Sequence, residues 1–483
     1  MAYRDFRQFL DVLRAHGELI DVDRPVALEL DVGRALKQSY ARKGPALVFR
    51  QNGTEFPLVA GVYSTRSKAL LAFEATEETI FDKVLHGLDH PIAPRLVNDG
   101  TPPCQEVVLR GDDIDITRFP VPVYSPSDGG PFITPGITVS KNPVSGVPDI
   151  GHYRYQVIGK DTLSFLAQPF HRFGKNLAVY QKQGLAPEGA IVIGVDPVLA
   201  YAAQVQVPDD TDDWTVAGGL RGEAVELVKC QTVDLAVPAT AEVVIEFKVD
   251  FDTKVMEGPL GEYTGYYTPA SEKPVARITA ITHRRQPYFQ GLLTGKPVTE
   301  NHILKEIPFE ASFYRQMKRQ FPTIERVAIP PSGGVSFYTV IAMQQRYAGE
   351  ARQAILAAMA SNIRPKWVVI VDPDIDVFDS AEVEWALSFR VQPARDMFFV
   401  ENIPAGPLDP SVGEKAALAS RAMSAVGVDA TRPFGEPFPE VADVPGWREY
   451  ALPELSVSPN GQNGHNGQVK EARTESGELA RAE

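Results

Sequence analysis

Apolar side chains in the first ninety residues recur at helical intervals in some segments and at strand-like intervals in others. Four of them fall three or four residues apart ahead of Gly17 and predict one amphipathic helix: Phe6, Phe9, Leu10 and Leu13. The short apolar runs "ALVFR" and "PLVAGVY" predict strands, and "ETIFDKVLHGL" predicts another helix. We therefore expect an N-terminal α/β domain over residues 1–100.

The pattern changes between residues 101 and 300, where proline and glycine become frequent and strand-like runs follow one another closely. The runs are "GITVSKN", "HYRYQVIG", "LSFLA", "GAIVIGVD", "AEVVIEFKVD" and "PVARITAITHR". Helical periodicity is weak here, and short strands separated by turn residues are typical of an antiparallel barrel or sandwich. We expect one β domain over residues 101–300.

Strands and helices alternate again after residue 333. The runs "GVSFYTVIAM", "KWVVIVD" and "FFVEN" predict strands, and "GEARQAILAAMAS" and "SAEVEWALSF" predict helices, the second with a capping box of Asp379 and Glu382. This alternation predicts a mostly parallel sheet in a C-terminal α/β domain over 346–455, after a return segment and linker helix over 301–345. The tail over 456–483 has few large apolar residues and is predicted to be disordered.

Composition and charge narrow the classes of function. The chain has 483 residues, 44% of them hydrophobic, and a formal net charge of −14. Nucleic acid and anionic membrane surfaces both need a basic face, so neither is expected as a partner. The N-terminal helix is interrupted by acids and is not a signal peptide, and no apolar run is long enough to span a bilayer. Cys104 and Cys230 match no disulfide or zinc pattern, which favours a reducing, cytoplasmic location.

The sequence contains no GxSxG elbow, P-loop or GxGxxG fingerprint, so its candidate chemistry has to be sought elsewhere. The stretch "MEGPLGEYTGYYT" holds two acids, Glu257 and Glu262, around a Gly-Pro pair. In a straight strand residues five apart point to opposite faces, whereas a Gly-Pro turn can bring both carboxylates to one place. The alternative is a surface turn with two solvated acids.

Arg154, His171 and a group of acids are further candidates. If residues 152–158 form one strand, Arg154 shares a face with His152 and Gln156, and this face is either solvated or part of a site. His171 follows a proline at a strand end, where it is either a ligand or a hydrogen-bonded loop residue. The acids of "DDTDDW" form a solvated loop or, with His171 and Asp149, supply ligands that suit manganese or magnesium better than zinc.

A second acidic segment, "VDPDIDVFDS", has the alternating acids of a calcium loop at Asp372, Asp374 and Asp376. It lacks the glycine at the sixth loop position and the glutamate at the twelfth. It follows a buried strand and precedes a capped helix, so we interpret it as a structural loop.

The order of segments along the chain resembles that of the UbiD family of reversible decarboxylases. The resemblance rests on "YRYQVIGK", "AGGLRG", "VKCQTVDLAVPATAEVVIE", "EGPLGEYTGYY", "QRYAGEA", "VIVDPDIDVFD" and "PARDMFFVEN". It extends from near the N-terminus to about residue 447 and excludes the tail. It implies an α+β multidomain fold with a split β-barrel, similar to flavin reductases, as the cofactor domain. The C-terminal α/β domain would then serve for oligomerisation.

The resemblance also implies a reaction and its catalytic residues. The family's arginine corresponds to Arg154 and its two glutamates to Glu257 and Glu262, of which the first pairs with the arginine and the second transfers a proton. The implied reaction is the non-oxidative, reversible decarboxylation of an aromatic, heteroaromatic or α,β-unsaturated carboxylic acid through a covalent adduct with prenylated FMN. A flavin prenyltransferase would supply the cofactor, and the chain would form a homodimer or a larger homo-oligomer.

Cofactor contacts implied by the resemblance fall on Thr134, Gly151, His152, Arg154 and His171. The family binds its cofactor with the help of a divalent metal, which we expect to be Mn²⁺, with K⁺ as a further ion.

The family's metal ligands are an asparagine, a histidine and a glutamate, which correspond here to Asp149, His171 and Asp213. Two of these three residues depart from the family pattern. Both replacements keep oxygen ligands, but Asp149 adds a negative charge near the flavin phosphate and Asp213 is one methylene shorter than glutamate.

The substrate end of the site is less well defined. Asn301 and His302 correspond to positions that related enzymes present to the substrate, but a helical histidine beside Ile303 and Leu304 is equally well a packed core residue. Two other classes of function stay open. One is a metal-dependent hydrolase that uses Asp149, His171 and Asp213 without flavin, and the other is a non-catalytic carrier subunit for prenylated flavin.

Overall fold

The computed structural model of the protein describes residues 2–169, 171–406, 408–413 and 422–442, together with residues 444, 446 and 450. The tail predicted over 456–483 lies outside these residues. The N-terminal part contains, in chain order, α1 (Phe6–Ala15), β1 (Leu19–Val22), α2 (Asp31–Ala41), β2 (Ala46–Phe49), β3 (Leu58–Ala60), α3 (Arg66–Phe73), α4 (Ile80–Asp89) and β4 (Arg95–Leu96).

The central part is rich in strands. It contains β5 (Val107–Leu109), β6 (Phe132–Ile133), β7 (Ile137–Lys141), β8 (Pro148–His152), β9 (Tyr155–Val157), β10 (Thr162–Phe165), α5 (Arg172–Gln183), β11 (Glu188–Ile193), α6 (Pro197–Ala202), α7 (Asp213–Arg221), β12 (Glu226–Lys229), β13 (Ala236–Pro238), β14 (Val243–Glu257), β15 (Leu260–Gly261), β16 (Tyr267–Thr268), β17 (Ser271–His283) and β18 (Phe289–Gln290).

The C-terminal part begins with the long helix that follows β18. It contains α8 (Glu300–Gln320), β19 (Ile324–Ala328), β20 (Tyr338–Met343), α9 (Glu350–Met359), β21 (Trp367–Val371), α10 (Ser380–Arg390), α11 (Pro393–Asp396), β22 (Met397–Pro404) and β23 (Ala422–Ala430). All of these elements belong to the unit Met1–Glu436. The described residues of the second unit, Pro437–Glu483, include no helix or strand.

The N-terminal α/β prediction is confirmed. The Asp5 carboxylate caps α1 by accepting a hydrogen bond from the Gln8 N–H at 3.0 Å, and the four apolar side chains of the predicted stripe are buried. The sheet has the order β1-β2-β3-β18, so the chain returns from the central part to add one parallel strand beside β3.

The central sheet has nine strands in the order β6-β9-β10-β17-β14-β11-β7-β8, with β5 beside β17. Its pairs are antiparallel, and β14 and β17, the longest strands of the sheet, run side by side. The path of described strands does not close on itself, as expected for the split β-barrel. One face packs into a core that includes Ile191, Ile245 and Phe247.

Two features of the central part differ from what the sequence pattern indicated. The sequence shows only weak helical periodicity here, so α5 and α7 were not predicted. α7 depends on close packing against another helix and not on an amphipathic spacing of apolar residues. A Cβ atom at Gly219 would lie 2.3 Å from the Gly87 carbonyl oxygen of α4, so the glycine lets two helix backbones approach closely. Residues 152–158 are not one strand either. β8 ends at His152 and β9 begins at Tyr155, which leaves Arg154 in the turn between them.

The C-terminal sheet has the order β19-β20-β21-β23-β22. Only β20, β21 and β23 pair in parallel, and the two outer strands are antiparallel, so the sheet is less parallel than expected. β19 and β20 lie in the segment 301–345 and still pair into this sheet. Asp379 caps α10 by accepting from the Ala381 N–H at 2.8 Å, but Glu382 accepts from the Asp376 N–H, so the predicted capping box is absent.

The acidic loop after β21 is a structural loop, as the sequence predicts. Arg390 donates to Asp372 and to Asp374, each at 2.8 Å, and its side chain is buried. None of the described helices combines the length and the apolarity needed to cross a bilayer.

A buried ion cluster joins α1 to the central sheet. Glu242, directly before β14, has a fully buried side chain and accepts from Arg7 Nε and Nη2 at 2.8 and 2.9 Å. Arg284 Nε lies 3.3 Å from the same carboxylate, and the Tyr288 N–H donates to it at 2.9 Å. Removing one partner of such a cluster leaves buried charge uncompensated.

We therefore expect Glu242→Gln to lower the free energy of unfolding by about 3 kcal/mol, measured by urea denaturation. Glu55→Gln is the matched control, because Glu55 pairs with Arg118 at the exposed surface and should be replaceable without measurable effect. Equal urea midpoints for the two variants would contradict the role of Glu242.

Candidate active site

The three predicted catalytic side chains come together from separate segments. Arg154 lies between β8 and β9, Glu257 is the last residue of β14, and Glu262 directly follows β15. Although 103 and 108 residues separate the two acids from Arg154, both carboxylates contact its guanidinium. The sheet therefore assembles a site that no local segment contains.

Both carboxylates bind the Arg154 guanidinium, but they bind it differently. Glu257 accepts from Nε at 2.9 Å and from Nη2 at 3.0 Å, whereas Glu262 accepts only from Nη1, which also donates to Thr268 Oγ1 at 3.2 Å. The Glu257 side chain is 0% exposed and the Glu262 side chain 13%. Burial lowers the pKa of Arg154, but Glu262 and Glu257 outweigh it and raise that pKa overall, so the guanidinium stays charged.

The bend between the two glutamates is held by hydrogen bonds and is not a solvated surface turn. Gly258 has φ = +90°, a conformation that favours glycine. Its N–H donates to Gln156 Oε1 at 2.8 Å, and Gln156 Nε2 donates to the Gly129 carbonyl at 2.8 Å. The bend thus belongs to the buried site, which was one of the two alternatives that the sequence left open.

The loop before β6 that contains Asp128 and Gly129 packs over this bend. The Gly129 N–H donates to the Pro259 carbonyl at 2.7 Å, and Asp128 Oδ1 accepts from the Gly261 N–H at 3.0 Å. A Cβ atom at Gly129 would lie 2.1 Å from the Gly258 carbonyl oxygen, so this contact requires glycine. Sequence reasoning missed this loop, and its turn-rich "SDGG" carried no signal for a partner so far along the chain.

Lys305 on α8 is a second cation near Glu262 that sequence reasoning missed. Its ammonium lies 4.3 Å from the centroid of the Tyr263 ring, the residue after Glu262. Burial lowers the pKa of Lys305, and the charge of Glu262 opposes that effect.

His302 and Asn301 were predicted at the substrate pocket, but the structure uses both to anchor α8. His302 is fully buried, accepts from the Thr299 N–H at Nδ1 (3.0 Å) and lies 2.7 Å from the Tyr263 carbonyl at Nε2. Asn301 bonds to Thr299 and Thr294. Both ring nitrogens of His302 are therefore satisfied, and it is the packed histidine of the two alternatives.

Three predicted cofactor residues lie close together at the paired ends of β7 and β8. β7 begins three residues after Thr134, and its first residue, Ile137, pairs with His152 next to Gly151. Thr134 Oγ1 donates to the Leu292 carbonyl at 2.6 Å, and His152 Nδ1 lies 2.9 Å from Gln204 Nε2. Burial lowers the pKa of His152 to about 3, so this imidazole is neutral at physiological pH.

The predicted metal ligands Asp149 and Asp213 are both buried, and Arg172 joins them. Arg172 Nη1 donates to Asp213 Oδ1 at 2.7 Å, and its Nε lies 3.4 Å from Asp149 Oδ1. Burial raises the pKa of both carboxyl groups, and Arg172 opposes that rise. His171 is exposed as the N-cap of α5, with its ring edge-on to Tyr153.

These side chains, as placed, do not fit a divalent metal. Across the described parts of the chain, no three His, Cys, Asp or Glu side chains are grouped so that they could hold an ion. The Arg172 guanidinium lies between the two carboxylates, and its positive charge opposes a cation there. In the sequence, the position of Arg172 directly after the predicted ligand His171 could have marked it as a residue of this site.

Comparison with known proteins gives one consistent result. The 3-octaprenyl-4-hydroxybenzoate carboxy-lyase profiles of the UbiD family match at residues 10–88 (N-terminal domain), 95–297 (Rift-related domain) and 302–430 (C-terminal domain). The structure is similar to the UbiD-class enzyme HmfF from Pelotomaculum thermopropionicum in complex with FMN, with 32% identity, a TM-score of 0.84, and coverage of 93% of this chain and 99% of that one.

Two other solved structures are similar over the same share of this chain. The vanillic acid decarboxylase of Sedimentibacter hydroxybenzoicus in closed form has 29% identity, covers 93% of this chain and 98% of its own, and has a TM-score of 0.84. The apo 3,4-dihydroxybenzoic acid decarboxylase of Klebsiella pneumoniae has 26% identity, covers 93% and 100%, and has a TM-score of 0.82.

Fold and site together define a carboxy-lyase, an enzyme that breaks the bond between a carboxyl group and the carbon that carries it. The chain belongs to the UbiD family of decarboxylases.

The burial of His302 predicts a pH dependence of stability. Burial lowers its pKa to about 4, below the ordinary value of about 6.5, and the positive charge of Lys305 lowers it further. A depressed pKa in the folded state stabilises the protein above about pH 6.5, and this contribution is lost as the pH falls towards 4.

We expect wild type to lose about 3 kcal/mol more unfolding free energy than His302→Gln between pH 7 and pH 4, measured by urea denaturation at both pH values. Glutamine keeps a donor and an acceptor but does not titrate. Identical losses in the two proteins would show that His302 is not held neutral.

Proposed function

We propose that this decarboxylase removes carbon dioxide reversibly from an aromatic, heteroaromatic or α,β-unsaturated carboxylic acid, with prenylated FMN as its cofactor. The observation that carries the proposal is the cluster of Arg154, Glu257 and Glu262 within one buried site. HmfF structures with FMN and with prenylated FMN support the cofactor by similarity.

Residues of this chain fit a flavin. Gln168 is buried, and its Oε1 atom has no hydrogen-bond partner, three residues before His171. A buried acceptor without a donor is costly, and a flavin ring carries an N–H group that could serve it. Thr134, which precedes β7, and Gly151 and His152 of β8 would help to hold the flavin. Bound there, prenylated FMN would supply the electron sink that no side chain offers, through covalent chemistry with the substrate.

Arg154 would bind and orient the substrate carboxylate. Its Nε and one Nη2 proton are committed to Glu257, which fixes the plane of the guanidinium. A second Nη2 proton and the Nη1 protons that face Glu262 and Thr268 are the donors that a substrate can take. Glu257 is therefore the positioning residue, because it holds two donors and has no exposed surface.

Glu262 would move the proton. It contacts Arg154 through one oxygen and keeps some exposed surface, so its carboxyl group can leave the guanidinium when a substrate carboxylate arrives. The substrate carboxylate is a third acid beside the single Arg154 charge, and a proton taken up by Glu262 offsets the excess negative charge. That proton is then available for the substrate carbon that loses carbon dioxide.

Particular contacts weigh against the two other classes of function. A hydrolase built on Asp149, His171 and Asp213 would need a cation between the two aspartates, where the Arg172 guanidinium lies. A carrier subunit would not need Arg154 joined to two acids.

Mn²⁺ and K⁺ have no part in the proposed steps. A homo-oligomer, a flavin prenyltransferase as supplier of the cofactor, and a cytoplasmic location stay predictions.

We expect Glu262→Gln and Arg154→Gln to retain bound flavin and to lose carbon dioxide release by at least about a hundredfold, the usual effect of losing a general acid. The assay uses protein made together with a flavin prenyltransferase, a panel of aryl and acrylic acids, and hydrogen–deuterium exchange at the product carbon. Flavin absorbance reports on binding.

Glu272→Gln is the matched control, because Glu272 is an exposed acid on β17 opposite Met256 of β14. It should keep wild-type turnover. Substantial activity in Glu262→Gln or Arg154→Gln would refute the roles assigned to these residues.

A further inference from the structure

Arg172, at the start of α5, is fixed between two buried acids. Besides its contacts to Asp213 and Asp149, its Nη2 donates to the carbonyls of Thr211 at 3.0 Å and Pro148 at 3.4 Å. Its side chain is 15% exposed. A guanidinium with this many fixed acceptors is part of the site and not a solvated surface group.

The other carboxylate oxygens of the two acids are also in use. Asp213 Oδ2 accepts from the Ile150 N–H at 2.8 Å, and Asp149 Oδ2 accepts from Ser140 Oγ at 3.3 Å. Each oxygen that could ligate a divalent cation therefore faces an N–H or O–H donor. A carboxylate oxygen can keep one hydrogen bond and still ligate a cation, but a cation between these two acids would lie beside the fixed guanidinium, so it would have to displace Arg172.

A second acid pair in the same chain is arranged in the same way. Arg390 donates to Asp372 and Asp374 at 2.8 Å each, in a loop whose acids also suggested a cation from the sequence. This chain thus neutralises a pair of nearby aspartates with an arginine at two separate places.

We infer that the Arg172 guanidinium takes the place of a divalent metal between Asp149 and Asp213, so that no divalent cation binds there. The comparison of bound metal with bound flavin rests on the proposed function, whereas the titration with metal alone does not.

The first test uses the full-length wild-type chain made together with a flavin prenyltransferase and dialysed against EDTA. Elemental analysis gives bound metal per chain, and absorbance gives bound flavin. We expect metal far below the flavin content, with flavin and carbon dioxide release unchanged. A divalent metal retained in proportion to flavin, or lost together with it, would overturn the inference.

The second test compares Arg172→Gln with Lys175→Gln, a matched control on the same helix whose ammonium pairs with the exposed Asp209. Without the guanidinium the two carboxylates are left for a cation, so titration with Mn²⁺ should show binding at least about tenfold tighter in Arg172→Gln than in Lys175→Gln. Equal Mn²⁺ binding in the two variants would contradict the role of Arg172. Circular dichroism checks folding, and if Arg172→Gln does not fold, the EDTA experiment decides.

Failure of the inference and failure of the proposed function give different results. A wild-type protein that takes up no flavin refutes the proposed function. In that case titration with Mn²⁺ alone, followed by electron paramagnetic resonance, still decides the metal part. No binding supports the inference, and a tight site lost in Asp213→Asn overturns it.

Discussion

A guanidinium removed from water must be matched by acceptors, and this constraint organises the active site. Arg154 is almost fully buried, so the fold has to bring it carboxylates. Glu257 satisfies two of its donors from the end of β14, and Glu262 contacts a third after the bend. The positions of β14, of the bend and of the loop that closes over it are all tied to this one cation.

The same constraint explains why acidic clusters in this sequence are poor guides to metal ions. "DDTDDW" and "VDPDIDVFDS" both contain closely spaced aspartates, and in the structure each contributes to a pair held by an arginine, Arg172 or Arg390. Oxygen-rich clusters suit hard cations, but a guanidinium meets the same need for positive charge and also directs its N–H groups. Only the positions of the N–H donors in the structure distinguish an arginine-paired cluster from a metal site.

The proposed proton donor, Glu262, is attached to well-packed elements of the fold. β14 and β17 run side by side below the bend, and α8 is attached to it where His302 meets the Tyr263 carbonyl. Glu262 lies between these supports and is the least constrained of the three catalytic side chains. A proton donor needs such freedom, whereas the carboxylate that positions the guanidinium does not.

The sequence alone determined the three-part α/β, β, α/β order, because hydrophobic spacing reports local structure, and it singled out Arg154, Glu257 and Glu262 through the order of motifs along the chain. It did not determine α7, whose Gly219 is explained only by the close approach of α4, or the role of His302. It also could not place Arg172 between Asp149 and Asp213. Those contacts join residues distant in sequence, and only the folded backbone sets which of them meet.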